Sequence, residues 1–156
     1  GAHDMGKFAQ TTTVEEGRTK AEIEATLKRY GADRFGYMAD AAQASIAFEL
    51  KGRRIRISIN LPQRRDFYKT ESGLTRTTSG AITAAHEKAQ RQIWRALLLV
   101  IKAKLESVDS GIETLEEAFM PHVLLPDGRT VSEWLTPQIE SAYQTNSMPM
   151  LLGSGQ

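Results

Sequence analysis

Six consecutive residues, Arg64-Arg65-Asp66-Phe67-Tyr68-Lys69, set three cations around two aromatic rings. Guanidinium and ammonium groups neutralise backbone phosphates and release their counterions. Aromatic faces stack on unpaired bases, which a duplex does not offer. Arg76 follows in the same stretch. Arg54 and Arg56 alternate with Ile55 and Ile57 just upstream. Further on, Lys88, Arg91, Arg95 and Lys102 recur at helical spacing and fall within roughly a 60° stripe at ~100° per residue. These twelve residues are the candidate nucleic-acid-binding set.

The charge around them is segregated. Residues 51–104 hold thirteen Lys/Arg against three Asp/Glu, whereas residues 105–156 hold one basic residue, Arg129, against eight acids. Residues 1–50 hold six against eight, so a net charge of +1 conceals a strongly basic middle. Such a field suits a polyanion. It equally suits a fold in which the basic middle pairs with the acidic flanks, with Phe67 and Tyr68 as plugs into the core. The composition leaves both readings open.

Catalysis finds less support. There is no cysteine, so neither thiolate chemistry nor a disulfide framework is available. His86 stands beside Glu87 in a helical pattern. His122 lies near Glu116, Glu117 and Asp127, at a spacing that matches no standard zinc or calcium site. Gly80, Gly111 and Gly128 stand alone rather than in a phosphate-cradling loop. No cofactor or metal is expected, and an enzyme is not the favoured reading.

These residues must be positioned by a chain long enough for one domain. Gly1–Met5 reads as a cloning scar, 6–17 as a flexible N-terminus, 18–143 as a single domain and 144–156 as a flexible tail. The longest apolar run, Ala96–Ile101, is too short to span a bilayer, and the expected location is the cytoplasm.

Thr19-Lys20-Ala21-Glu22 fits a capping box, and Ile23, Leu27 and Tyr30 follow on one helical face, which predicts a helix over 19–30 stopped by Gly31. The period then becomes two. Arg34–Met38 predicts a short strand, and 45–51 and 54–61 predict a hairpin turning at Gly52, with Ile55, Ile57 and Ile59 inward. Residues 62–80 read as an irregular loop. A long helix over 81–109 carries Trp94, Leu97, Ile101, Leu105 and Val108 on one face, with the basic stripe turned away from it. A short acidic helix over 113–119, a turn at Pro126-Asp127-Gly128, and a helix opened by Thr130-Val131-Ser132-Glu133 and running to about Tyr143 complete a mixed helical C-terminal segment. Trp94 and Trp134 are both expected in the core. The fold class is α+β, a small antiparallel sheet with the long helix packed on its apolar face.

The order helix–strand–strand–strand–helix resembles that of double-stranded-RNA-binding domains, and its later part the strand–strand–strand–helix core of single-strand annealing proteins. The resemblance is one of topology. The Lys-rich start of the second helix expected of the former is replaced here by Thr78-Ser79-Gly80-Ala81-Ile82-Thr83-Ala84-Ala85-His86. In wording, Thr19–Tyr37 (TKAEIEATLKRYGADRFGY), Trp94–Phe119 (WRALLLVIKAKLESVDSGIETLEEAF) and Leu125–Val131 (LPDGRTV) resemble small uncharacterised proteins encoded by bacteriophages and prophages. The similarity covers most of residues 12–143. It implies a phage origin and transfers no catalytic or binding residue.

The expectation is therefore a phage-type nucleic-acid-binding protein with a preference for single strands, acting in replication or recombination. The competing expectation is a non-enzymatic module that engages a host or phage protein. Leu97–Ile101 is apolar around more than half of its helix, and one small sheet covers one face. The other face calls either for a homodimer or for cover by Ile139 and Tyr143.

Overall fold

The computed structural model describes residues 13–149 and is α+β. Helix α1 (Thr13–Arg29) leads into a three-stranded antiparallel sheet of β1 (Asp33–Ala39), β2 (Gln43–Leu50) and β3 (Arg53–Asn60), in that spatial order. Helix α2 (Ser79–Asp109), the short α3 (Leu115–Phe119) and α4 (Val131–Thr145) follow. The expectations for residues 1–12 and 150–156 lie outside the described residues.

Alternation decides the sheet. Ala44, Ile46, Phe48 and Leu50 of β2 and Ile55 and Ile57 of β3 turn to one face and are buried, and Ile59 packs partly buried beside them. Lys51 and Gly52 both take positive φ, +49° and +77°, the two-residue turn whose twist matches the flanking strands. Onto this face pack Ile23 and Leu27 of α1, Trp94, Leu97, Leu98, Ile101 and Leu105 of α2, and Leu115, Ala118 and Phe119 of α3. Phe119 meets Phe48 edge-on, with ring centroids 6.1 Å apart.

Three expectations need correction. Helix α1 begins at Thr13, six residues before Thr19, so 13–17 is helical rather than loose. Glu15 and Glu16 in its first turn and Lys28 and Arg29 in its last complement the helix dipole. Thr19 is not a cap: it is buried in mid-helix and donates its hydroxyl to the Glu15 carbonyl. Gly31, at φ +93°, ends the helix as its sequence position suggested. Second, Trp134 is half-buried, because α4 packs against the Met120–His122 turn rather than into the sheet–helix layer, and no residue of α4 is buried. Third, α4 does not cover the centre of α2. Leu98 is buried within the domain, Leu99 is 66% exposed, and Ile139 and Tyr143 are themselves exposed.

The C-terminal elements are fastened by caps. Thr114 caps α3 and Thr130 caps α4, each by a hydroxyl accepting from the third helical N–H, Glu117 and Glu133. Each glutamate returns a carboxylate to the cap's backbone N–H. That backbone bond, then the threonine hydroxyl, holds both carboxyls below the usual glutamate range, and the Arg56 guanidinium adds to the effect at Glu133. A depressed folded pKa gives stability that is complete above the unfolded value and lost as pH falls through the folded one. Urea midpoints measured from neutral pH to about pH 3 will therefore fall on the acid side of about pH 4.5, the ordinary glutamate value. Glu133→Gln will flatten that limb, and an unchanged limb would remove Glu133 from the account.

Candidate nucleic-acid interface

The segment after β3 is largely irregular, as its sequence predicts, and is held by its own polar contacts. Residues 64–67 form a 3-10 turn. The Arg64 guanidinium donates to Thr83 Oγ1 and to the hydroxyl and carbonyl of Ser79, which ties the turn to the start of α2. His86 Nε2 lies 2.7 Å from the Pro62 carbonyl oxygen, and the His86 ring packs at 5.8 Å against Phe67. Arg76 donates to the carbonyls of Phe67 and Lys69, at 3.0 and 2.7 Å, and closes the bend between them. Lys69 and Thr75 form an isolated bridge, with Thr70 N–H donating to the Leu74 carbonyl.

Adjacent basic residues thus meet opposite fates. Arg64 and Arg76 are consumed in building the segment. Arg65, Tyr68 and Lys69 point out from it, with Tyr68 51% exposed. Lys88, exposed on α2, lines with Lys69 and Arg76 a shallow cleft of about 380 Å³, to which Asp66 and Glu71 bring two carboxylates. Phe67 is half-buried against His86, so the ring free to stack is Tyr68 and not the Phe67–Tyr68 pair.

The helical stripe divides as well. Arg91 pairs with Glu15 at 2.9 Å and Lys102 with Glu22 at 3.0 Å. The stripe runs along the flank of α1 instead of facing solvent alone. This follows from the early start of α1, whose first turn carries Glu15 up to Arg91. Arg95 remains exposed without an ion pair among the described residues, in a cleft it shares with Arg18, Glu15 and Glu22. Arg18 is not among the twelve candidates, because the sequence predicts a helix that begins one residue after it, whereas α1 includes it.

On the sheet, Arg56 is spent. It pairs with Glu133 and also donates to the Gly128 carbonyl, so it anchors α4. Arg54 is exposed on the face opposite the helices, with Glu49 as its cross-strand neighbour. Of the twelve candidates, Arg56, Arg64, Phe67, Arg76, Arg91 and Lys102 serve the fold. Lys69 and Lys88 line one cleft beside α2, and Arg65 and Tyr68 are exposed on the turn that precedes Lys69, while Arg54 and Arg95 line no part of that cleft.

Among the described residues no group of three or more His, Asp or Glu is placed to hold a metal ion. Burial first, and Lys104 second, push the half-buried His122 imidazole below its ordinary pKa. No helix among the described residues is long and apolar enough to cross a membrane. No family model, no curated protein and no solved structure matches the chain.

Proposed function

We propose that this is a phage-type nucleic-acid-binding protein with a preference for single strands, acting in DNA replication or recombination. One observation carries the reading. Once the basic residues committed to internal contacts are set aside, Lys69 and Lys88 line one cleft, exposed and without an ion pair among the described residues, and Arg65 and the ring of Tyr68 are exposed on the turn that leads into it. Cations binding a phosphate backbone next to an aromatic face is the combination that single strands reward. Gel shifts with single- and double-stranded DNA and RNA test it directly. Binding is expected at ~50 mM salt, where phosphate contacts are strongest, and its absence there ends the proposal. Tyr68→Ala will cost single-strand binding about 1–3 kcal/mol, the usual worth of a stacked base, and leave duplex binding nearly unchanged. Equal losses on both substrates would mean that Tyr68 does not stack.

A protein-interaction module is the second reading. It is favoured by the apolar side chains left uncovered, Leu99 and Val100 on α2 and Ile139 and Tyr143 on α4. A purified protein that retains a stoichiometric protein partner, and whose absorbance ratio at 260 and 280 nm shows no nucleic acid, would favour it over the first.

A further inference from the structure

The outer edge of the sheet carries its own instruction for pairing. In an antiparallel ladder, alternate residues turn both N–H and C=O toward one neighbour, and the residues between them turn the other way. Asp40 N–H donates to the Gln43 carbonyl at 2.9 Å, and Met38 and Gly36 stand opposite Ser45 and Ala47. Positions 36, 38 and 40 of this hairpin therefore face β2. Phe35, Tyr37 and Ala39 turn their backbone groups outward, and these groups have no partner among the described residues. The same alternation points the Arg54 carbonyl outward from β3. There the Leu124 N–H takes it at 2.8 Å, and Val123 bridges Ile55. One edge of the sheet is covered at that end, and the β1 edge is bare among the described residues.

We infer that β1 pairs antiparallel with β1 of a second copy about a two-fold axis at Tyr37, joining two sheets into one of six strands. This inference is independent of the nucleic-acid reading. The axis is set by the residues themselves. Centred on Tyr37, all three outward-facing residues find outward-facing partners, Tyr37 opposite Tyr37 and Phe35 opposite Ala39. The same register leaves Arg34, in the bulge just beyond the ladder, beside Asp40 of the second copy, and Asp40 beside its Arg34. Opposite charges across strands stabilise a pair, whereas like charges there oppose it. Both partners have capacity to spare. The Arg34 side chain is largely exposed, with one ion pair among the described residues, to Glu49 at 3.3 Å. Asp40 accepts from Ala42 and Gln43 through Oδ1, and Oδ2 has no hydrogen-bond partner among the described residues.

The irregularity in β1 limits the pairing and does not prevent it. The register shifts between Asp33 and Gly36, where Arg34 takes φ +54°. A bulge ends a ladder and bends the strand away, so the usable edge stops at Phe35 and the pair cannot slide past it. A second copy satisfies the same register in both directions, which makes the contact isologous and closed. An unrelated strand would have to bring its own complement to Arg34 and Asp40.

Sedimentation velocity at tens of micromolar should give about twice the 17.3 kDa chain mass. Tyr37→Cys supplies the only cysteine of the chain. Residues directly opposite in a hydrogen-bonded antiparallel pair have Cα atoms ~5.5 Å apart, within the span of a disulfide. This variant should oxidise to a covalent dimer, and Leu99→Cys, on the other exposed apolar face, should not. Ala39→Pro removes an outward N–H at an edge where proline is tolerated, and should give a monomer with unchanged far-UV circular dichroism. Hydrogen exchange of the unmodified protein guards against misfolded variants: the amides of Phe35, Tyr37 and Ala39 should be protected at concentrations where the dimer forms. A monomer mass, fast exchange at these amides in a dimer, or crosslinking through Leu99 in place of Tyr37 would each overturn the inference.

Discussion

Replacing Lys69 and Lys88 together by alanine will lower the slope of log affinity against log salt by about two, and will weaken all sequences alike. The expectation rests on the proposed nucleic-acid interface and on the difference between a free and a paired cation. Lys69 and Lys88 line one cleft, are exposed, and carry no ion pair among the described residues. A phosphate reaching them displaces only bulk counterions. Arg91 and Lys102 carry the same charge on the same helix but pair with Glu15 and Glu22. A phosphate reaching them competes with a carboxylate, and little counterion release follows. The double replacement Arg91→Ala and Lys102→Ala is therefore the matched control and should leave the slope nearly unchanged. Fluorescence anisotropy of a labelled oligonucleotide across a salt series reads both. Equal slope changes in the two double variants would show that charge alone, not this cleft, attracts the polyanion.

The contrast also explains what could be read from the chain beforehand. The hairpin was legible because its side chains alternate strictly, and a one-residue slip would have turned Ile55 and Ile57 to solvent. Helix α2 was legible because Trp94, Leu97, Ile101 and Leu105 repeat on one face. The caps at Thr130 and Gly31 were legible because their chemistry is local. The start of α1 was not: Thr19 and Glu22 imitate a capping box, yet the helix continues back to Thr13, and Thr19 bonds to the turn before it.

The candidate site was legible as a population of charges and not as a surface. Arg64 and Arg65 are neighbours of the same type, and nothing in their local pattern separates them. What separates them is Ser79 and Thr83, some fifteen to twenty residues away, which accept from Arg64. Likewise Phe67 and Tyr68 look equivalent until His86 takes one of them. Helical phase correctly put Lys88, Arg91, Arg95 and Lys102 on one stripe. It could not tell that α1 would lie along that stripe, because packing between distant helices sets that contact, and Glu15, which meets Arg91, comes from an unexpectedly early turn.

Phe119→Ala will cost about 3–5 kcal/mol of folding stability, the usual range for emptying a buried aromatic site. Phe119 is fully buried, its ring meets Phe48 edge-on, and the Lys104 ammonium lies 5.8 Å from its centre. It sits on a helix of five residues, far too short to hold itself together. Helix α3 persists because Leu115, Ala118 and Phe119 are seated in the core. Losing the largest of them loosens the segment that follows, which covers one edge of β3 through Leu124 and Val123 and carries α4. Trp134→Ala removes a larger side chain and will cost far less, about 1 kcal/mol, because that residue is half-buried on a helix with no buried residue. Urea unfolding followed by far-UV circular dichroism, with the denaturant slope checked for constancy, compares the two directly. Equal costs would mean that α4 is as much a part of the core as α3. A loss below about 1 kcal/mol at Phe119 would mean that its site collapses around the missing ring.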